Sequence, residues 1–108
     1  MTDFTLDDLA ALIKSRRKDN ASTSYTKSLF DAGAPRIAKK FGEEAVETII
    51  AALDGDRSAL INEAADTLYH LLVMLEARDV SLTEVLRELE RRTQQSGLAE
   101  KASRGANG

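Results

Sequence analysis

Residues 43–66 read EEAVETIIAALDGDRSALINEAAD. Two runs with helical periodicity meet at Asp54-Gly55-Asp56, the clearest turn signal in the chain. Folded back there, the runs become an antiparallel helical hairpin. Gly55 lies midway between Glu47 and Glu63, eight residues from each, and midway between Glu44 and Asp66, eleven from each. With a helical rise of about 1.5 Å per residue, these pairs stand at matching heights, roughly 12 and 16 Å from the turn. Glu44 and Glu47 are spaced i, i+3, as are Glu63 and Asp66, so each pair shares one helix face. Four carboxylates are therefore expected to converge on one patch.

Such a patch needs a counter-charge. Glu47 has Glu43 one turn before it and Ala51 one turn after, and Glu44 can at best reach back to Lys40. Two carboxylates about 5 Å apart repel by roughly 3 kcal/mol at an effective dielectric near 20. A solvated face on two amphipathic helices is the plain alternative, and a single ExxE would fit it. The mirrored second pair and the missing partner cations argue for a bound cation instead. The donors are hard oxygens, and the chain has no cysteine and one histidine. That set favours Mg²⁺ or Mn²⁺ over zinc or copper. A carboxylate cage holding Mg²⁺ keeps positions for water and phosphate oxygens, which points to chemistry on a polyphosphate.

The rest of the chain extends the helical pattern, and no alternating strand is present. Thr5 is placed to cap a first helix that fades near Lys18, with Asp7 and Asp8 in its first turn. Residues 19–25 form a polar loop. A short helix is expected over 26–32, ended by Gly33 in a left-handed cap, and Pro35 then fits the first position of a helix running to Leu53. On that helix Val46, Ile49, Ile50 and Leu53 fall together and are expected to form the core face. A fourth helix spans about 57–78, and Ser81 with Glu84 predicts a capping box for a fifth that ends near Gln95. Residues 1–95 form one domain, and 96–108, which lack apolar periodicity, a flexible C-terminal tail. The fourth helix carries LYHLLVML at 68–75, apolar on nearly every side. Five short helices can hardly enclose it, so the predicted fold is an all-α antiparallel bundle of about five helices, completed by homodimerisation.

Composition narrows the function classes. Fifteen basic and eighteen acidic residues give a net charge of −3, and the sequence pI is near 5.2. That balance carries no footprint for nucleic acid or an anionic membrane. No run approaches the ~18 apolar residues of a membrane span, and MTDFTLDDLA lacks a signal-peptide core. Absent cysteines suit a reducing compartment, and a cytoplasmic location is expected.

A resemblance reaches the same carboxylates. EExxE followed by ExxD, here Glu43-Glu44 with Glu47 and Glu63 with Asp66, looks like the all-α nucleoside triphosphate pyrophosphohydrolase superfamily, with its MazG-type enzymes and dimeric dUTPases. SYTKSLFDAG at 24–33, KKFGEEAVETIIAA at 39–52 and EAADTLYHLLVML at 63–75 resemble the phosphoribosyl-ATP pyrophosphohydrolase family, which serves the second step of histidine biosynthesis. The similarity covers residues 4–92. It implies Mg²⁺ on Glu44, Glu47, Glu63 and Asp66, and cleavage between the α and β phosphates to release pyrophosphate and phosphoribosyl-AMP. In many organisms the domain is fused to a zinc cyclohydrolase with cysteine ligands. No such domain is expected here, so the next step is expected to belong to a separate polypeptide.

Smaller signals complete the candidate site. Lys40 either pairs with Glu43 or Glu44 or, as the resemblance implies, reaches a substrate phosphate. Ser24, Tyr25 and Thr26 can cap the short helix or offer hydroxyls and a ring to the phosphoribosyl or purine end. Glu43 borders the apolar face, where it supports the ligands or meets substrate. His70 is expected to be a hydrogen-bonded core residue rather than a ligand, and Arg87, Arg91 and Arg92 a solvated face. Two rival functions share these features: a housecleaning enzyme of the MazG type acting on other triphosphates, and a non-catalytic helical dimerisation module. The second leaves the mirrored carboxylates unexplained.

Overall fold

The computed structural model describes residues 3–19, 24–94 and 104. Five helices follow in order: α1 (Leu6–Arg16), α2 (Tyr25–Ala32), α3 (Ala34–Asp54), α4 (Arg57–Ala77) and α5 (Leu82–Thr93). No strand occurs among the described residues, as the sequence predicts. The expected tail at 96–108 lies outside the described residues apart from Arg104, and so does most of the polar loop, 20–23.

Local chemistry sets the helix ends. The Thr5 hydroxyl accepts from the Asp8 amide while the Asp8 carboxylate accepts from the Thr5 amide, a reciprocal capping box. Ser81 and Glu84 repeat the device at α5, and these hydrogen bonds hold the Glu84 carboxyl below its ordinary value. Ser24 caps α2 through the Lys27 amide, so α2 begins at Tyr25, one residue earlier than expected. Gly33 takes a positive φ of 96°, but its ψ of 168° is extended rather than left-handed helical. It serves at once as the last cap of α2 and the first of α3, which redirects the chain instead of closing a left-handed cap. Pro35 therefore stands second in α3, not first. Gly55, at φ 76° and ψ 11°, is the left-handed residue of the hairpin turn, and Asp56 caps α4.

The core is small. Ile13, Leu29, Ile37, Leu72 and Val73 form its buried cluster, with Leu9, Phe30, Tyr69 and Leu75 packed around it. Each such aliphatic side chain contributes about 1.5–3 kcal/mol on burial. Arg17 ties three helices together over this cluster. It donates to the Glu76 carbonyl oxygen at 3.0 Å and pairs with the Glu76 carboxylate at 3.3 Å, while its guanidinium lies 4.9 Å from the Phe30 ring centre.

The expected core face of α3 is overturned. Val46, Ile49, Ile50 and Leu53 are 52–82% exposed, whereas Ile37, Glu44 and Ala51 are the buried residues of α3. The physical reason is rotational: α3 turns its carboxylate face toward α4, leaving the apolar stripe uncovered by its own chain. The LYHLLVML segment is better covered than its composition suggests, since His70, Leu72 and Val73 are buried and Leu68 alone in the run is exposed.

Candidate active site

Helices α3 and α4 meet at the level of the glutamates. The Thr48 hydroxyl donates to the Glu44 carbonyl oxygen at 2.8 Å and lies 2.7 Å from the Thr67 hydroxyl. Because Thr48 spends its single proton on Glu44, the Thr67 hydroxyl donates to Thr48. This pair pins one helix to the other beside the acidic cluster.

Three carboxylates come together there. Glu44, Glu63 and Asp66 each offer an oxygen within 4.8 Å of the others, with Glu44 buried, Glu63 half-buried and Asp66 exposed. Opposite oxygens around Mg²⁺, with bonds of 2.0–2.1 Å, stand about 4 Å apart, so small side-chain movements suffice to close this triad on an ion. One Glu44 oxygen lies 3.8 Å from the Lys40 ammonium. Its other oxygen, and one oxygen of Glu63, are buried with no hydrogen-bond partner. Two orphaned carboxylate oxygens on residues of one acidic cluster are costly unless a cation satisfies them. The donor set, all hard oxygen, fits Mg²⁺ or Mn²⁺.

Glu47 does not join that triad. It lies against Glu63, and their mutual hydrogen bond is the largest cause holding the Glu63 carboxyl above its ordinary value; burial and the charges of Glu47 and Glu44 follow. Three of the four carboxylates thus lie within 4.8 Å of one another, and Glu47 lies at the rim of the same patch against Glu63. A hollow of about 230 Å³ opens on this rim, lined by Glu47, Ile50, Ala51, Asp54, Ala59 and Glu63.

The remaining candidates separate by exposure. Lys40 sits 3.6 Å from Glu43 and 3.8 Å from Glu44, bridging the two. Glu43 is exposed on the outer side of that bridge. Ser24 and Thr26 are buried, and their hydroxyls are engaged: Ser24 in the cap, Thr26 with the Tyr69 hydroxyl. Burial raises the Tyr69 phenol above its ordinary value and keeps it a neutral partner for Thr26. Tyr25, by contrast, is 55% exposed, with its ring stacked on Tyr69 at a centroid distance of 6.2 Å. His70 is buried and hydrogen-bonded, as the sequence predicts, and its partners are the Asp66 carbonyl and the Tyr25 hydroxyl. A single histidine at i+4 from Asp66 signals the first contact; nothing signals the second, 45 residues away.

Comparison with known proteins reaches the same segments. The family model for phosphoribosyl-ATP pyrophosphohydrolase matches residues 6–93. A phosphoribosyl-ATP pyrophosphatase of Methylobacterium radiotolerans is 59% identical over 104 residues, 96% of this chain and 97% of that protein. The same name is carried by a Methylobacterium nodulans protein, 58% identical over 104 residues with the same coverage. A Rhodobacter capsulatus protein so named is 58% identical over 100 residues, 93% of this chain and 97% of its own.

Proposed function

The chain belongs to the phosphoribosyl-ATP pyrophosphohydrolase family, and we propose that it hydrolyses phosphoribosyl-ATP between the α and β phosphates, giving phosphoribosyl-AMP and pyrophosphate in the cytoplasm as the second step of histidine biosynthesis. The observation that carries the chemistry is the pair of partnerless buried oxygens on Glu44 and Glu63 beside Asp66. Glu44, Glu63 and Asp66, with Glu47 at their edge, would hold Mg²⁺, or Mn²⁺ in its place. A bound ion supplies charge neutralisation of the polyphosphate and of the departing pyrophosphate.

The chain's own groups do the rest. Glu47 is exposed beside Glu63 and lines the hollow on the rim, where it can orient a water and accept its proton. Hydrolysis then adds the water's hydroxide to phosphorus as the anhydride bond breaks toward the pyrophosphate oxygen. Lys40, held between Glu43 and Glu44, swings a mobile positive charge toward a phosphate. Tyr25 offers an exposed ring and hydroxyl to the phosphoribosyl or purine end, while Ser24 and Thr26 support it by fixing the start of α2. The uncovered stripe of α3 supports a homodimer. No helix among the described residues is long and apolar enough to cross a membrane.

The test is pyrophosphate release from phosphoribosyl-ATP and from a panel of nucleoside triphosphates, with and without Mg²⁺. Phosphoribosyl-ATP should be preferred, and chelation should stop turnover. Faster cleavage of dUTP or dCTP would assign the protein to housecleaning chemistry instead, and no turnover of any triphosphate would leave a helical dimerisation module.

A further inference from the structure

His70 is the chain's single histidine, it is buried, and the chemistry above gives it no task. Its Nδ1 lies 2.7 Å from the Asp66 carbonyl oxygen. A carbonyl only accepts, so Nδ1 carries the hydrogen, and in the neutral ring Nε2 is left as a lone pair. Nε2 stands 3.3 Å from the Tyr25 oxygen, so the phenol donates to it. The imidazole also meets Tyr25 and Tyr69 edge-on, with ring centres 6.1 and 5.0 Å away. An exposed side chain of α2 is thereby fixed from the turn of α4 that follows Asp66.

We propose that His70 is a positioning residue: through Nε2 it holds Tyr25 in register with the carboxylate cluster, and so sets the affinity for the nucleotide end of the substrate rather than the rate of the chemical step. A long, half-exposed phenol without that anchor samples several rotamers, and substrate binding must then order it. The inference rests on the reading of Tyr25 as a substrate contact.

The test uses Tyr25→Phe, His70→Asn, His70→Gln and the double variant Tyr25→Phe/His70→Asn. Asparagine keeps a donor near Nδ1 but places no acceptor at the Nε2 position, whereas the glutamine carbonyl reaches it. Steady-state kinetics are measured on phosphoribosyl-ATP or, where the wild type does not cleave it, on the triphosphate that it cleaves best. Failure of the functional reading and failure of this inference are then separate results. Tyr25→Phe and His70→Asn should each raise KM roughly three- to tenfold, the range expected for one neutral hydrogen bond, with kcat within twofold. The double variant should be no worse than the weaker single, and His70→Gln should stay within twofold of wild type. Additive losses, a fall in kcat at unchanged KM, or a changed Mg²⁺ half-saturation in His70→Asn alone would overturn the proposal, the last by showing that His70 acts on Asp66. Should His70→Asn melt too low to assay, Tyr25→Phe and His70→Gln decide: an unaltered KM in the first, or a raised KM in the second, overturns it.

Discussion

At the scale of single residues, the acidic cluster places function and stability in opposition. Glu63 holds its proton more tightly in the folded chain than an ordinary carboxyl, chiefly through its hydrogen bond with Glu47. A raised folded value means that this group's contribution to stability is present below the ordinary carboxylate pKa and is lost as pH rises through the raised one. The metal-free protein should therefore lose stability from this site as pH climbs above the usual carboxylate range, and Mg²⁺ should restore it. Glu47→Gln removes one charge and supplies an amide donor to Glu63. With chelator present it should melt no lower than wild type and show a flatter pH dependence, while turnover falls by at least 10²-fold, the usual scale for losing a proton acceptor. Thermal melts at several pH values and a pyrophosphate assay decide the matter; retained activity, or a lower melting temperature, would sink the assignment. The grouping was legible in sequence because i, i+3 spacing and distance from the turn fix face and height. The ranking within the group, with Glu47 at the rim and Glu44 buried, was not, since spacing along a helix gives height and face but no burial.

At the scale of elements, capping chemistry is local, and this is why helix ends could be read from a few neighbouring residues. Thr5, Ser81 and the turn at Gly55 all stand where their sequence context placed them. The end of α4 is different. The Val80 amide donates to the Leu75 carbonyl at 2.9 Å and the Asp79 amide to the Glu76 carbonyl at 3.0 Å, which places Asp79 at a positive φ of 58°. This is a Schellman closure without its usual glycine, and no composition signal at Arg78-Asp79-Val80 announces it. An aspartate tolerates the left-handed conformation better than most residues but still bears a steric cost that glycine does not. Its 3.8 Å pairing with Arg17 is on a highly exposed side chain and contributes little. Asp79→Gly should therefore stabilise the chain by about 0.5 kcal/mol, net of glycine's greater unfolded-state entropy, or a few degrees in melting temperature. Calorimetry checks it, and a lower melting temperature would show that the Arg17 pairing outweighs the backbone relief. The α5 helix illustrates the limit of local reading in another way. Its capping box and amphipathic pattern are plain, and Arg91 and Arg92 hold Glu88 down to about 2, yet none of its residues is buried by its own chain.

At the scale of the whole molecule, the unused apolar surface is the main fact. Among the described residues, six apolar side chains are buried while thirteen large ones are exposed, including Val46, Ile49, Ile50 and Leu53 on α3 and Ile61 and Leu68 on α4. The radius of gyration is 16.3 Å, against about 13 Å for a compact domain of 100 residues. A chain this open, with one continuous apolar helix face, supports the proposed homodimer. A two-fold axis would let a second copy present the same stripe in return. In sequence it is LYHLLVML that points to a second subunit, yet its own chain covers that segment for the most part; the uncovered stripe is that of α3, and a helical wheel gives an apolar stripe without saying whether its own chain or another covers it. Leu72 illustrates the distinction. It is 5% exposed within one chain, so Leu72→Asp would unfold the subunit itself and report nothing about assembly. Ile49, 57% exposed on the open stripe, is the informative site. An aspartate there costs about 3 kcal/mol on burial and enters a symmetric interface twice, weakening association by roughly 10⁴-fold. The wild type should sediment as a dimer at micromolar concentration and melt at a temperature that rises with concentration. Ile49→Asp should sediment as a helical monomer whose melting is independent of concentration. A monomeric wild type, or an Ile49→Asp chain that still dimerises, would mean that the stripe of α3 faces something other than a second copy.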